Sequence, residues 1–168
     1  MHLRDVAWRA MTAYDLPAVQ GIADTVHVDF FEAPDVLAER QRLYRNGCYL
    51  LEINEKPAGY VLSHPWRYGT LPPLNTLLGR LPADPDTYYL HDVALLQVAR
   101  RIGAASRIVA ALIKHARAEG YPTVTLVAVA GSVPFWERHG FAVAEVPELY
   151  GQLLSYEEAA RYMVLRLD

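Results

Sequence analysis

The sequence predicts an α/β fold, a mixed and strongly twisted sheet of about six to seven strands with helices on both faces. Three observations carry this expectation. Short apolar runs of strand type alternate with helical segments along the chain. Thr123–Val129 (TVTLVAV) is almost uninterrupted in apolar character, as expected of a strand covered on both faces. After Gly103, apolar residues fall at Ala105, Ile108, Val109, Leu112, Ile113 and Ala116, with Ser106, Arg107, Lys114, Arg117 and Glu119 opposite, the pattern of an amphipathic helix.

Val6–Met11 reads as the first strand. Thr12 or Asp15 then opens a helix whose apolar face is Leu16, Val19, Ile22, Ala23 and Val26. A second helix follows Pro34-Asp35 and stops at Asn46-Gly47, with Val36, Leu37, Arg40, Leu43 and Tyr44 at helical spacing. Cys48–Ile53 and Ala58–His64 read as a hairpin joined through Asn54-Glu55-Lys56-Pro57. Residues 65–87 hold five of the eleven prolines and read as a long loop, either a binding loop or lid or a mobile connector, whose leucines and Trp66 favour packing. Thr87–Leu95 is the next strand, and Gly120 and Pro122 end the helix that follows. A short helix at Val133–Arg138, a strand from Phe141 and a last strand at Arg161–Leu167 complete the order.

Composition narrows the function. At roughly 100–200 residues per domain, the chain is expected to form a single domain over residues 1–168. The single cysteine, Cys48, excludes an internal disulfide and a multi-cysteine zinc site, and fits a reducing cytoplasm. The N-terminal stretch lacks the apolar core of an export signal, and no run is long enough to span a bilayer, so no membrane partner is expected. A net charge of −3 argues against a general nucleic-acid binder. Yet Arg100, Arg101, Arg107, Lys114 and Arg117 cluster against Glu119 alone, which marks a local anion site.

That cluster surrounds Arg100-x-x-Gly103-x-Ala105, at the turn between a strand and a helix. Small residues there let backbone N–H groups approach a phosphate, and the helix dipole adds positive potential. By itself a glycine before a helix is often only a turn. The turn lacks the lysine of a P-loop and the spacing of a dinucleotide site.

Together with Val93-Ala94-Leu95 on the strand and Phe135-Trp136-Glu137-Arg138-His139-Gly140-Phe141 after the next one, this turn resembles the GNAT family of N-acetyltransferases. The resemblance covers most of the chain. The pairing of Leu90-His91 with Pro134-Phe135-Trp136 and Gly140-Phe141 is similar to the arylalkylamine N-acetyltransferase branch. It implies acetyl-coenzyme A as cosubstrate, with its pyrophosphate on Arg100, Arg101, Ile102, Gly103, Ala104 and Ala105. It also implies that the backbone of Val93, Ala94 and Leu95 holds the pantetheine and acetyl carbonyl. A sheet splayed between the strands at Tyr88 and Thr123 follows, as does direct acetyl transfer to a primary amine with no metal. The chain departs from the family at Gln97, Arg101, Val129 and Ser132. It departs most at Trp136, where a tyrosine usually protonates the departing thiolate.

His91 is the expected general base, because an attacking amine with a pKa near 10 must shed a proton and imidazole titrates near neutrality. Its bland alternative is a histidine bonded to backbone. Strict strand alternation places His91 opposite Asp92, and a bulge would bring Asp92 forward as the base instead. Trp136 and Tyr150 are candidates at the leaving thiolate. Asp29 and Glu32 are candidates for attracting a cationic amine, or are a solvated acidic loop. Phe30, Phe31, Trp66, Tyr68, Tyr89 and Tyr150 are candidates for an aromatic pocket. Cys48 reads as core, and His64, His115 and His139 lack metal-ligand spacing. The expected partner is a small, cationic and in the branch sense aromatic amine, while a homodimer stays open. The alternatives are acetylation of a protein amine and a coenzyme-A-binding module without catalysis, which Trp136 raises.

Overall fold

The computed structural model describes residues 5–168; the first four residues, part of the N-terminal stretch read above, lie outside the described residues. Seven strands form one sheet in the order β1-β2-β3-β4-β5-β7-β6. They are β1 (Val6–Ala10), β2 (Cys48–Ile53), β3 (Lys56–Trp66), β4 (Thr87–Leu95), β5 (Thr123–Ala128), β6 (Ala142–Val143) and β7 (Arg161–Arg166). All neighbours are antiparallel except β4 and β5. The helices are α1 (Leu16–Val26), α2 (Pro34–Leu43), α3 (Ala104–Ala118), α4 (Val133–Arg138) and α5 (Tyr150–Tyr156).

Alternation along the strands sorts the core onto the two faces. Tyr60 and Leu62 pack with Val19, Ile22 and Leu37 of α1 and α2. Val61, Val124 and Leu126 pack with Ile108, Val109 and Leu112 of α3 and with Trp136 of α4. The predicted helix after Gly103 and the strand at Thr123 are thus present for the reasons given. α1 opens as read: the Thr12 N–H donates to the Asp15 carboxylate at 2.8 Å, and a short turn at Ala13–Asp15 leads into Leu16. Asn54 and Glu55 both take positive φ (52° and 68°), so β2 and β3 join by a two-residue hairpin tighter than the sequence suggested.

Residues 67–86 form neither helix nor strand, yet they are strapped down. The Glu39 carboxylate accepts the N–H groups of Leu78 (2.6 Å) and Gly79 (3.0 Å). The Tyr162 hydroxyl accepts the Gly69 N–H, and Gln152 donates to the Leu71 carbonyl. α5 escaped the sequence reading. Seven residues with Leu153 as the only fully buried side chain leave too little periodicity to mark a helix.

Candidate active site

β3 faces β4 with Leu62 opposite Asp92 and Ser63 opposite Leu90, so His91 is an extra residue on β4. Such a bulge turns two successive side chains to one side of the sheet. Leu90 and Val93 both pack toward α3, while His91 and Asp92 both face the segment after α1. The strict alternation expected from sequence, which separates His91 from Asp92, is therefore replaced by a shared face.

β4 and β5 pair only at Tyr88–Val124, Tyr89–Thr125 and Leu90–Leu126. Beyond Leu90 they part, as the splayed sheet required. From His91 to Leu95 the β4 backbone meets β3 on one side only. Its polar groups on the other side face a cleft of about 410 Å³ that reaches Arg100, Ala105, Ser132 and Trp136. At the far end of β4, Gly103 takes φ 78° with open space where a Cβ would stand, and Arg101 takes φ 64°. The first helical bond of α3 runs from the Arg107 N–H to the Gly103 carbonyl (3.1 Å), so the N–H groups of Ala104, Ala105 and Ser106 precede it and are free for an anion. Trp8 Nε1 donates to the Ala104 carbonyl at 2.9 Å and ties this turn to β1. The Ala94 side chain and Ile102 serve packing, so only their backbone is available to a ligand.

On the other side of β4 lie two imidazole–carboxylate pairs. His91 Nε2 is 2.7 Å from Glu32 Oε1, and His27 Nε2 is 2.5 Å from Asp92 Oδ1. The Tyr60 hydroxyl donates to Asp92 Oδ2 at 2.5 Å. Burial alone would raise the Glu32 pKa, but the charge and hydrogen bond of His91, the charge of Arg40 and the Asn75 N–H outweigh it and lower it to about 2. Burial would likewise lower the His27 pKa, yet Asp92 and Glu32 raise it on balance. Beneath them His64 is fully buried and donates through Nδ1 to the Pro65 carbonyl (2.8 Å). Desolvation, aided by His91 and Arg40, pushes its pKa down to about 3.

The family model for the acetyltransferase (GNAT) family matches residues 11–141. The chain belongs to the GNAT family. It is an acetyl-coenzyme-A-dependent N-acetyltransferase. No curated protein sequence matches it. Among solved structures it is similar to Ard1 from Thermoplasma volcanium (TM-score 0.73, 15% identity, 97% of this chain and 98% of that one). It is similar to the ribosomal-protein-S18-alanine N-acetyltransferase from Escherichia coli (0.69, 19%, 98% and 95%). It is also similar to the GphF GNAT-like decarboxylase in complex with isobutyryl-CoA (0.78, 13%, 96% and 100%). At these identities the likeness is one of fold.

This GNAT site does not collect all the residues picked out in the sequence. Glu32 and Tyr89 reach a deeper pocket of about 50 Å³ with Phe30, Tyr156, His91 and Asp92. Asp29 is exposed and lines neither cavity, because the segment after α1 turns it to solvent while Glu32 turns in. Phe31 is also exposed; Trp66 and Tyr68 pack in the cluster of Leu71, Tyr89 and Tyr162. Tyr150 opens α5, is 48% exposed and donates to Glu145 at 2.7 Å. It lines a separate groove between α5 and β7, which removes it as an acid for the cleft. Trp136 does line the cleft, packed edge-on against Phe135 and Phe141. Cys48 is core, its thiol pushed up to about 12 by burial. His27 and Tyr156 were missed. The one signal for His27 is its place directly after Val26, the last apolar position of α1, at the edge of the acidic loop. Among the described residues no group of side chains could hold a metal, and no helix is long and apolar enough to cross a membrane.

The buried neutral His64 makes stability depend on pH. Its folded pKa lies below that of the unfolded chain, so its contribution is full above about pH 6.5 and is lost as pH falls toward 3. Urea unfolding should show the parent losing up to about 1.4 kcal/mol per pH unit more than His64→Asn over that window. A stability difference that stays constant from pH 7 to pH 4 contradicts this placement of His64.

Proposed function

We propose that the chain transfers the acetyl group to a small primary amine with aromatic character, by direct attack and without a covalent enzyme intermediate. The observation that carries this reading is the bulge at His91. It sets two imidazole–carboxylate pairs beside the unpaired edge of β4 and above a pocket walled by Phe30, Tyr89 and Tyr156. A cationic amine is drawn by the Glu32 and Asp92 carboxylates and packs against those rings.

Acetyl-coenzyme A supplies the acyl group as a thioester. The free N–H groups at the start of α3, with Arg100 beside them, fit its pyrophosphate, and the open backbone of Val93–Leu95 fits its pantetheine arm. A β4 N–H donates to the acetyl carbonyl as negative charge develops there. The amine nitrogen forms the C–N bond, its proton passes to a base of the cleft floor, and the electrons of the C–S bond leave on sulfur. A thiol pKa of about 8.5 makes that sulfur a tolerable leaving group, and Trp136 Nε1–H is the donor available to it without a labile acid. Cys48, with its buried thiol, serves no acyl transfer. A peptide amine is the second reading, favoured by the exposed Val28 and Phe31 on either side of cleft-lining Phe30.

Acetyl-coenzyme A consumption against a panel of amines tests the reading. Small aromatic amines should be turned over in preference to peptides, and Gly103→Glu should abolish coenzyme binding by calorimetry while the protein stays folded. A panel in which no amine is acetylated, or a folded Gly103→Glu with the parent's affinity, overturns it. For Trp136, a donor role predicts that Trp136→Phe loses about 100-fold in turnover while Trp136→Tyr keeps or raises it. Equal rates in both variants, with only the melting temperature changed, make Trp136 a packing residue.

A further inference from the structure

The two imidazoles of the cleft floor are not equivalent. The His91 side chain is 3% exposed; Nε2 is engaged by Glu32, and Nδ1 is buried with no partner. Neither ring nitrogen can meet an amine entering the cleft. The His27 side chain is 19% exposed and lines both the cleft and its deeper pocket. Its Nε2 meets Asp92, and its Nδ1 is neither buried nor taken by another side chain.

We propose that His27, held by Asp92, is the general base of this site. This rests on the acetyl-transfer reading above and adds the residue that moves the proton. The backbone also points this way. His27 caps α1, its N–H donating to the Ala23 carbonyl at 2.8 Å, so the ring stands at the negative end of the helix dipole, where an imidazolium is favoured. The Phe30 N–H returns to the His27 carbonyl (3.1 Å), and the two rings meet edge to face at 6.4 Å. Asp92 is fixed in turn by the buried Tyr60 hydroxyl. The carboxylate accepts Nε2–H, which leaves the Nδ1 lone pair for the amine.

The step balances. One proton of the bound ammonium passes to Nδ1 and frees the nitrogen pair that makes the C–N bond, Asp92 shares the imidazolium charge, and the second N–H proton leaves for water as the C–S bond breaks. Nδ1 then releases its proton to water, and the sulfur takes one from water. The groups that set the pH response of His27 are Asp92 and His91 of β4, Glu32 of the segment before α2, and Tyr60 of β3 acting through Asp92. Tyr156 of α5, behind Phe30, and Arg100 at the cleft wall complete the set. Burial lowers the His27 pKa, but Asp92 and Glu32 together outweigh it and raise it, so the acid limb of the rate profile belongs above pH 6.5.

Two measurements test this, one of them independent of turnover. With an amine that the parent acetylates, His27→Ala and His27→Gln should lose about 10²–10³ in kcat with acetyl-coenzyme A affinity unchanged. Added imidazole should restore part of the His27→Ala rate, and Asp92→Asn should move the acid limb to lower pH. In parallel, NMR of ¹⁵N-labelled histidine should show the His27 ring titrating above 6.5 in the parent and falling toward 6.5 in Asp92→Asn. His27 variants with the parent's rate and pH profile overturn the base role, and a ring that titrates at or below 6.5 overturns the pair itself. If no amine is turned over while His27 titrates as stated, it is the acetyl-transfer reading that fails, and the base role with it.

Discussion

The site depends on what β4 does at one residue. Up to Leu90 the strand is an ordinary member of the sheet, paired on both sides; at His91 it gains a residue against β3 and loses its partner β5. The two events have a common effect. The bulge adds local twist, and a strand that bends away from a parallel neighbour cannot keep its ladder with it. One irregularity thereby yields a backbone edge open on one side and turns His91 and Asp92 to the same side. Neither would arise from a regular strand, which would stay paired on both sides in a sheet centre.

The floor beneath this edge is polar and buried, which is costly unless the groups satisfy one another. Glu32 meets His91 and the Asn75 N–H, Asp92 meets His27 and Tyr60, and Glu39 holds the strap at Leu78 and Gly79. Arg40 is almost wholly buried on α2, and its charge depresses the Glu32 pKa further. The strap therefore does more than connect β3 to β4. Through Asn75 it holds the Glu32 carboxylate and the Ala33 N–H, and Leu74 lines the deeper pocket.

Much of the frame was legible because it rests on local pattern. The helix from Ala104 follows from apolar residues at helical spacing after Gly103, and β5 from an apolar run too short for a helix. The turn from Arg100 to Ala105 is legible for the same reason, since its residues are neighbours in sequence. What stayed hidden is nonlocal. His27 and Asp92 lie 65 residues apart, and nothing near His27 announces a partner. The bulge has no residue signature of its own, so the alternation rule assigned His91 and Asp92 to opposite faces. Tyr150 reads as a candidate acid at the leaving thiolate, but α5 carries it into the separate groove with Glu145 and Arg161. The tie between Glu39 and the strap is made to backbone N–H groups, which any sequence would supply.

We propose that the parted edges of β4 and β5, with the turn at Gly103, form the coenzyme A site. It is tested most directly by titrating ¹⁵N-labelled protein with coenzyme A and following the backbone amides. The largest shifts are expected at Val93–Leu95 and Ala104–Ser106, with smaller ones at His27 and Asp92. Shifts confined to the groove around Tyr150 and Leu154, or none at saturating coenzyme, would contradict it.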